Sequence, residues 1–236
     1  MNPSEAYWRE MGLWPQWTLR APASGGACKP EAESSAGAPA VDWDALREQV
    51  GACRQCALHE QRKQAVFGMG DERAAWLFVG EGPGAEEDQQ GLPFVGAAGK
   101  LLDQMLLAMG LQRGKDVYIA NVVKCRPPQN RTPTHEECQS CLPYLRRQIE
   151  LVQPKLIVTL GKVAAQALLG TDEPVGALRK RSHQYGALPL VATWHPAYLL
   201  RSPGEKAKAW EDLCRARRLM KSLCSPDDGT VGTATT

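Results

Sequence analysis

Four short apolar runs punctuate the middle of the chain, each the length of a buried strand: AAWLFVG (74–80), VYIANVV (117–123), KLIVTLG (155–161) and LPLVATW (188–194). They do not alternate apolar with polar residues, which is the pattern of strands covered on both faces of a parallel sheet. Between and after them, apolar positions recur at helical spacing in AAGKLLDQMLLAMG (97–110), HEECQSCLPYLRRQIELV (135–152), GKVAAQALLG (161–170) and GEKAKAWEDLCRARRLMKSL (204–223). Thr134, with Glu137 three residues on, has the spacing of a capping box. Gly110 and Pro154 punctuate two helix ends. Strands alternating with helices predict an α/β fold of three layers, helix–sheet–helix, around a four-stranded parallel sheet.

Composition sets the boundaries. The 236 residues, 43% of them hydrophobic, suffice for one such domain, placed at residues 42–223. Residues 1–17 predict a short amphipathic helix carrying Tyr7, Trp8, Met11 and Trp14, interrupted by Gly12 and Pro15. Residues 18–41, rich in Ala, Gly, Ser and Pro, read as a flexible linker, and residues 224–236 as a disordered tail. No apolar run approaches the roughly 18 residues of a membrane span. The N-terminus lacks the basic start and apolar stretch of a secretory signal, so a cytoplasmic protein is expected. The net charge is only +2, yet residues 175–221 hold ten Lys and Arg against three acids. That excess suits contact with phosphates or a solvated helix face equally.

The unusual residues gather where the strands end. Gly80-Glu81-Gly82-Pro83-Gly84 follows the first strand, Asn121 and then Lys124-Cys125-Arg126-Pro127-Pro128 the second, Gly161-Lys162 the third, and His195-Pro196 the fourth. Ligands of open α/β sheets bind outside the carboxyl ends of the strands. The glycine-rich turn lacks the Lys-Ser/Thr of a nucleotide-triphosphate loop and the form of a dinucleotide fold. Eight cysteines in a reducing compartment favour metal or cluster ligation over disulfides. Cys53-x-x-Cys56 and Cys138-x-x-Cys141 form two pairs, and Cys125 sits in the rigid turn; this spacing leaves zinc and an iron–sulfur cluster equally open. His195 is fixed by Pro196, and HPAYLLRSP places Leu199 and Leu200 beside Arg201, either a helix start packed on the core or an apolar wedge with a cation.

Together these segments resemble the family 4 uracil-DNA glycosylases, the iron–sulfur branch of that superfamily. The matching pieces are CRQCALHEQR (53–62), FVGEGPGAEEDQQGLPFVGAAGKLLDQML (78–106), IANVVKCRPPQNRTPTHEECQSC (119–141), PKLIVTLGKVAAQALLG (154–170) and WHPAYLLRSP (194–203). They cover nearly all of residues 50–220 in order. The resemblance implies a [4Fe–4S] cluster on Cys53, Cys56, Cys125 and Cys141, with Cys138 incidental. It implies a monofunctional glycosylase that flips uracil out of single- or double-stranded DNA and hydrolyses its glycosidic bond to start base excision repair. The protein is expected to act as a monomer, with no membrane partner.

The resemblance also implies roles for single residues. Phe94 stacks on the base, Asn121 reads it, the backbone at Gly80 and Glu81 contacts it, and His195 hydrogen-bonds its O2. Leu199, Leu200 and Arg201 fill the gap in the duplex. A carboxylate assists at the sugar; Glu81, Glu87 and Asp88 are the candidates. Family 1 enzymes place a water-activating Asp two residues after the first Gly of this motif, where this chain has Gly82, and Gly84 replaces their thymine-excluding ring. The missing Asp motivates an alternative, a non-catalytic DNA binder of the same superfamily. A crosslinking member is disfavoured, because the inserted basic loop after KCRPP is absent.

Overall fold

The computed structural model describes residues 43–224. The expected helix at 1–17, the linker at 18–41 and the tail beyond Cys224 lie outside the described residues. The described part belongs to one compact unit, Ala38–Thr236.

The sheet has six strands: β1 (Met69–Gly70), β2 (Trp76–Gly80), β3 (Val117–Asn121), β4 (Leu156–Leu160), β5 (His183–Tyr185) and β6 (Leu188–Thr193). Their order is β1-β3-β2-β4-β6-β5. The central four, β3-β2-β4-β6, are parallel and coincide with the four apolar runs. The antiparallel edges β1 and β5 go beyond the expectation. Neither has an apolar pattern to announce it: β1 is two residues, preceded by the left-handed Gly68 and ending in the left-handed Gly70, and β5 is the half-exposed HQY.

The helices are α1 (Trp43–Ala52), α2 (Ala85–Gln90), α3 (Ala97–Ala108), α4 (His135–Val152), α5 (Lys162–Leu169), α6 (Val175–Leu178), α7 (Pro196–Arg201) and α8 (Lys206–Cys224). Thr134 caps α4 as its spacing predicts, accepting the Glu137 N–H at 3.2 Å while Glu137 accepts the Thr134 N–H at 2.7 Å.

Alternate strand residues point to opposite faces, and each face has its own core. Leu77, Val79, Tyr118 and Ile157 pack with Leu142, Leu145 and Ile149 of α4. Trp76, Phe78, Ile119 and Val158 pack with Leu102 and Leu106 of α3 and Leu213 and Ala216 of α8. These are the three layers.

The order in which strands are added reverses between β2 and β4, which run parallel. The connection from β2 leads to β3 on one side, and β4 leads onward to β6 on the other. Adjacent loops therefore part at the carboxyl ends of β2 and β4 and open a crevice.

Part of the basic stretch is structural. Arg179 is buried and donates from Nε to Asp212 at 2.9 Å and from Nη2 to the Lys208 carbonyl at 2.5 Å. Arg181 pairs with Glu173, and Lys208 with Glu205. Among the described residues, no helix is long and apolar enough to cross a membrane.

Candidate active site

A cavity of about 530 Å³ fills the crevice. Its walls include Glu81 after β2, Phe94 from the loop between α2 and α3, Asn121 at the end of β3, Gly161 after β4, and His195 and Arg201 around α7. The four strand ends thus converge as the sequence predicts.

Asn121 is buried, at 2% exposure, and its Oδ1 has no hydrogen-bond donor among the described residues. A buried acceptor left unpaired costs about 1–3 kcal/mol. Its register partner is Gly80. A Cβ on Gly80 would lie 2.4 Å from Asn121 Oδ1 and 2.5 Å from Phe94 Cζ. Gly80 stands behind the cavity and makes room for the two side chains that face it.

Phe94 has φ +55, a left-handed backbone that bulky residues rarely adopt. Its ring stacks near His195, with centroids 5.6 Å apart and planes at 29°. His195 caps α7: its Nδ1 accepts the Ala197 N–H at 3.1 Å. Burial, with the nearby positive charge of Arg201, pushes its pKa down to about 4. The ring is therefore neutral at physiological pH. With Nδ1 serving as the acceptor, the remaining proton sits on Nε2.

The three candidate carboxylates separate. Glu81 lines the cavity; burial raises its pKa, opposed by a hydrogen bond from Thr132. Glu87 also reaches the cavity wall, but backbone amides occupy its oxygens: Oε2 accepts from Gly84 at 3.1 Å, and Oε1 from Val95 and Gly96 at 2.9 and 3.0 Å. It ties the GEGPG turn to the Phe94 loop. Asp88, one step round α2, points away. It is 2% exposed, accepts the Lys63 N–H at 2.9 Å and does not line the cavity, so its expected place at the reacting centre is corrected to a structural one.

The wedge also needs correction. Leu199 is 1% exposed and belongs to the core side of α7, whereas Leu200 is 44% exposed and Arg201 lines the cavity. The helix turns one leucine inward and the next outward. The glycines where family 1 differs are closed by packing. A Cβ on Gly82 would come within 2.6 Å of Val123 Cγ2, and one on Gly84 within 2.7 Å of Glu87 Oε2. An Asp at position 82 does not fit this backbone without a shift.

A second, smaller cavity on the α4 side of the sheet is lined by Cys53, Cys56, Cys125 and Cys141 together with Arg62 and Tyr144. Cys138 is not on its wall. Arg62 donates from Nη1 to Cys125 Sγ at 2.8 Å, and the Lys124 N–H to Cys141 Sγ at 3.3 Å. Among the described residues, Cys53, Cys56, Cys125, Cys138 and Cys141 form no disulfide. No group of three or more His, Cys, Asp or Glu side chains among the described residues is arranged to hold a metal ion. Lys124 is buried, and among the described residues its Nζ donates to two neutral oxygens, the Asn121 carbonyl at 2.8 Å and Gln148 Oε1 at 2.5 Å. Burial pulls its pKa down to about 8, and the neighbouring Cys141 opposes this. Thr132 is a site residue that sequence reasoning did not single out, and Lys124 one to which it gave no role. The one clue to Lys124 was a charge set against an apolar strand, VVKC.

Residues 67–214 match the uracil DNA glycosylase superfamily, and the chain belongs to it. Several relatives carry the name type-4 uracil-DNA glycosylase. That of Pyrobaculum aerophilum is 44% identical over 181 residues, covering 73% of this chain and 92% of the relative. That of Archaeoglobus fulgidus is 46% identical, covering 68% and 83%. That of Thermotoga maritima is 42% identical, covering 75% and 93%. Within the superfamily the chain groups with this type-4 branch.

Proposed function

We propose that the protein removes uracil from DNA by hydrolysing the bond between the base and the deoxyribose. The observation that carries this reading is the buried Oδ1 of Asn121, without a donor among the described residues, on the wall of a cavity that Phe94 and the neutral His195 also line. An amide matches uracil edge to edge: Oδ1 accepts from N3–H and Nδ2–H donates to O4. Cytosine presents the reverse polarity and leaves both buried groups mispaired.

The target nucleotide must leave the stack to reach this depth, at a cost of roughly a few kcal/mol. Leu200 and Arg201 are placed to fill the gap, and Phe94 stacks on the extruded ring. Bond cleavage leaves negative charge on the uracil and positive charge on the sugar. His195 Nε2–H stabilises the first at O2. Glu81 supplies negative charge toward the second and orients water. The water's hydroxyl goes to the sugar carbon and its proton to the departing base.

The four thiols on the wall of the second cavity, not drawn together around a single ion, supply the donor set of an iron–sulfur cluster. A single zinc ion would draw four sulfurs to about 2.3 Å, whereas a [4Fe–4S] cluster takes one thiolate per iron around a wider cage. The buried sulfurs of Cys125 and Cys141 accept N–H bonds, and the buried Lys124 Nζ beside them has no carboxylate partner among the described residues, a setting that suits an anionic group. Held by Cys53, Cys56, Cys125 and Cys141, a cluster would cross-link the segment after α1 to α4 and to the turn that follows Asn121. Serine at Cys53, Cys56, Cys125 or Cys141 is expected to abolish or strongly diminish the cluster's visible absorbance, and Cys138→Ser to keep it. Loss with Cys138→Ser alone would overturn the ligand set.

The two sides of α7 yield a paired expectation. Leu199→Ala should cost about 2–5 kcal/mol of stability. Arg201→Ala should leave stability within about 0.5 kcal/mol and reduce excision from duplex more than from single-stranded DNA. Equal losses on both substrates would remove the wedge assignment. The direct test of function is incubation with a labelled uracil-containing oligonucleotide, followed by alkali. Strand breaks at uracil only after alkali support a monofunctional glycosylase. DNA binding by cluster-loaded protein without breaks would favour the non-catalytic reading.

A further inference from the structure

We infer that Arg113, outside the cavity, is the positioning residue that holds Phe94 in its stacking geometry. The inference rests on the reading of Phe94 as the base's stacking partner.

Phe94 is held in a left-handed conformation, φ +55, with no glycine's freedom to relieve it. Such a residue stays in place only if its surroundings over-determine it. Two neighbours do so. A Cβ on Gly99, in the first turn of α3, would lie 1.8 Å from the Phe94 carbonyl oxygen, so the helix provides a bare seat for that peptide. Arg113, in the turn after α3, closes on the same peptide from the far side. Its Nη1 donates to the Pro93 carbonyl and its Nη2 to the Phe94 carbonyl, both at 2.8 Å. Its Nε donates to Asp103 Oδ1 at 2.8 Å, Nη2 lies at 2.8 Å from the same oxygen, and Nη1 lies 3.4 Å from Met69 Sδ.

The guanidinium is thus fixed to α3 by Asp103 and grips two successive carbonyls of the Phe94 loop. A planar fork with five N–H donors can make these bonds at once, and an ammonium cannot. Arg113 is absent from the cavity wall, so it acts through Phe94 and not on substrate. Releasing the two carbonyls lets φ relax to negative values and swings the ring out of its stack against His195.

The test is a double-mutant cycle on single-turnover excision from a single-stranded uracil oligonucleotide, using Arg113→Met, Phe94→Ala and the double variant. Arg113→Met should slow excision on the order of 10- to 100-fold, Arg113→Lys should recover little of it, and the double variant should be no slower than Phe94→Ala alone. Losses that multiply, or an Arg113→Met rate within twofold of wild type, would overturn the inference. Hydrogen exchange supplies a readout independent of activity. Amides of residues 92–98 should exchange faster in Arg113→Met and Arg113→Lys while those of β2, β3 and β4 do not. Loosening of the whole domain would instead mark a general structural role and refute the proposal. If wild-type protein excises nothing, the functional reading fails, and exchange still decides whether Arg113 holds the loop.

Discussion

Replacing His195 with asparagine is expected to slow single-turnover excision about 10²- to 10³-fold, the usual effect of removing one preorganised donor from a developing oxyanion. Asparagine separates the two jobs of this residue. The imidazole Nδ1 caps α7 through the Ala197 N–H, and an asparagine oxygen caps equally well. The variant should therefore keep its stability while losing the donor aimed into the cavity. His195→Ala loses both and should cost about 1 kcal/mol of stability besides. An Asn variant that excises at the wild-type rate would remove His195 from the chemistry.

The pH dependence follows from the same ring. Its pKa falls from 6.5 to about 4 because burial and Arg201 disfavour the charged form. The ring stays neutral above pH ~5, so His195 should put no inflection near 6.5 in the rate profile; its acid limb should lie near 4. Between those values the unfolded chain binds the proton and the folded one does not. Stability from this group is fully present above 6.5 and is lost as pH falls toward 4. Measuring the unfolding midpoint of wild type and His195→Asn across that window checks the sign: the wild type should lose more on acidification.

The central sheet was legible because burial on both faces writes a strand as an unbroken apolar run, and the four runs became the four parallel strands. The 18-residue α4 was legible because amphipathic period and cap agree. Elements too short to carry a period were not: α2, α6 and the two edge strands. At the site, residue types set in Pro and Gly turns after strands were found as candidates and lie together on the cavity wall. The choices that failed turn on one residue of helical rotation. Glu87 faces the cavity and Asp88 the core; Leu200 faces solvent and Leu199 the core. A short helix of uncertain phase does not reveal which neighbour points inward. Arg113 was invisible for another reason. Its partners are carbonyls 19 and 20 residues away, and a backbone acceptor has no residue type to signal it.

The largest change is expected from Asn121→Asp. At neutral pH the carboxylate offers acceptors only, so uracil O4 would meet a negative oxygen where it met an N–H. Sites built around a hydrogen bond reject the wrong partner by about 10⁴-fold, and uracil excision should fall by on the order of 10³-fold or more. The altered polarity admits the amino group of cytosine, so any residual activity should shift toward cytosine. Asn121→Ala should lose less, about 10- to 100-fold, the cost of leaving two polar groups of the base unpaired. The ordering matters more than either figure. If Asn121 merely filled space, alanine would be the worse substitution and aspartate nearly neutral. Stability separates the readings again. Asn121 Oδ1 finds no donor among the described residues, so Asn121→Ala should leave the unfolding midpoint unchanged or raise it, as expected where a residue is kept for function at a cost to the fold. A variant that lost stability and kept its rate would return Asn121 to the role of a strand-end residue, and with it would go the assignment of the cavity to uracil.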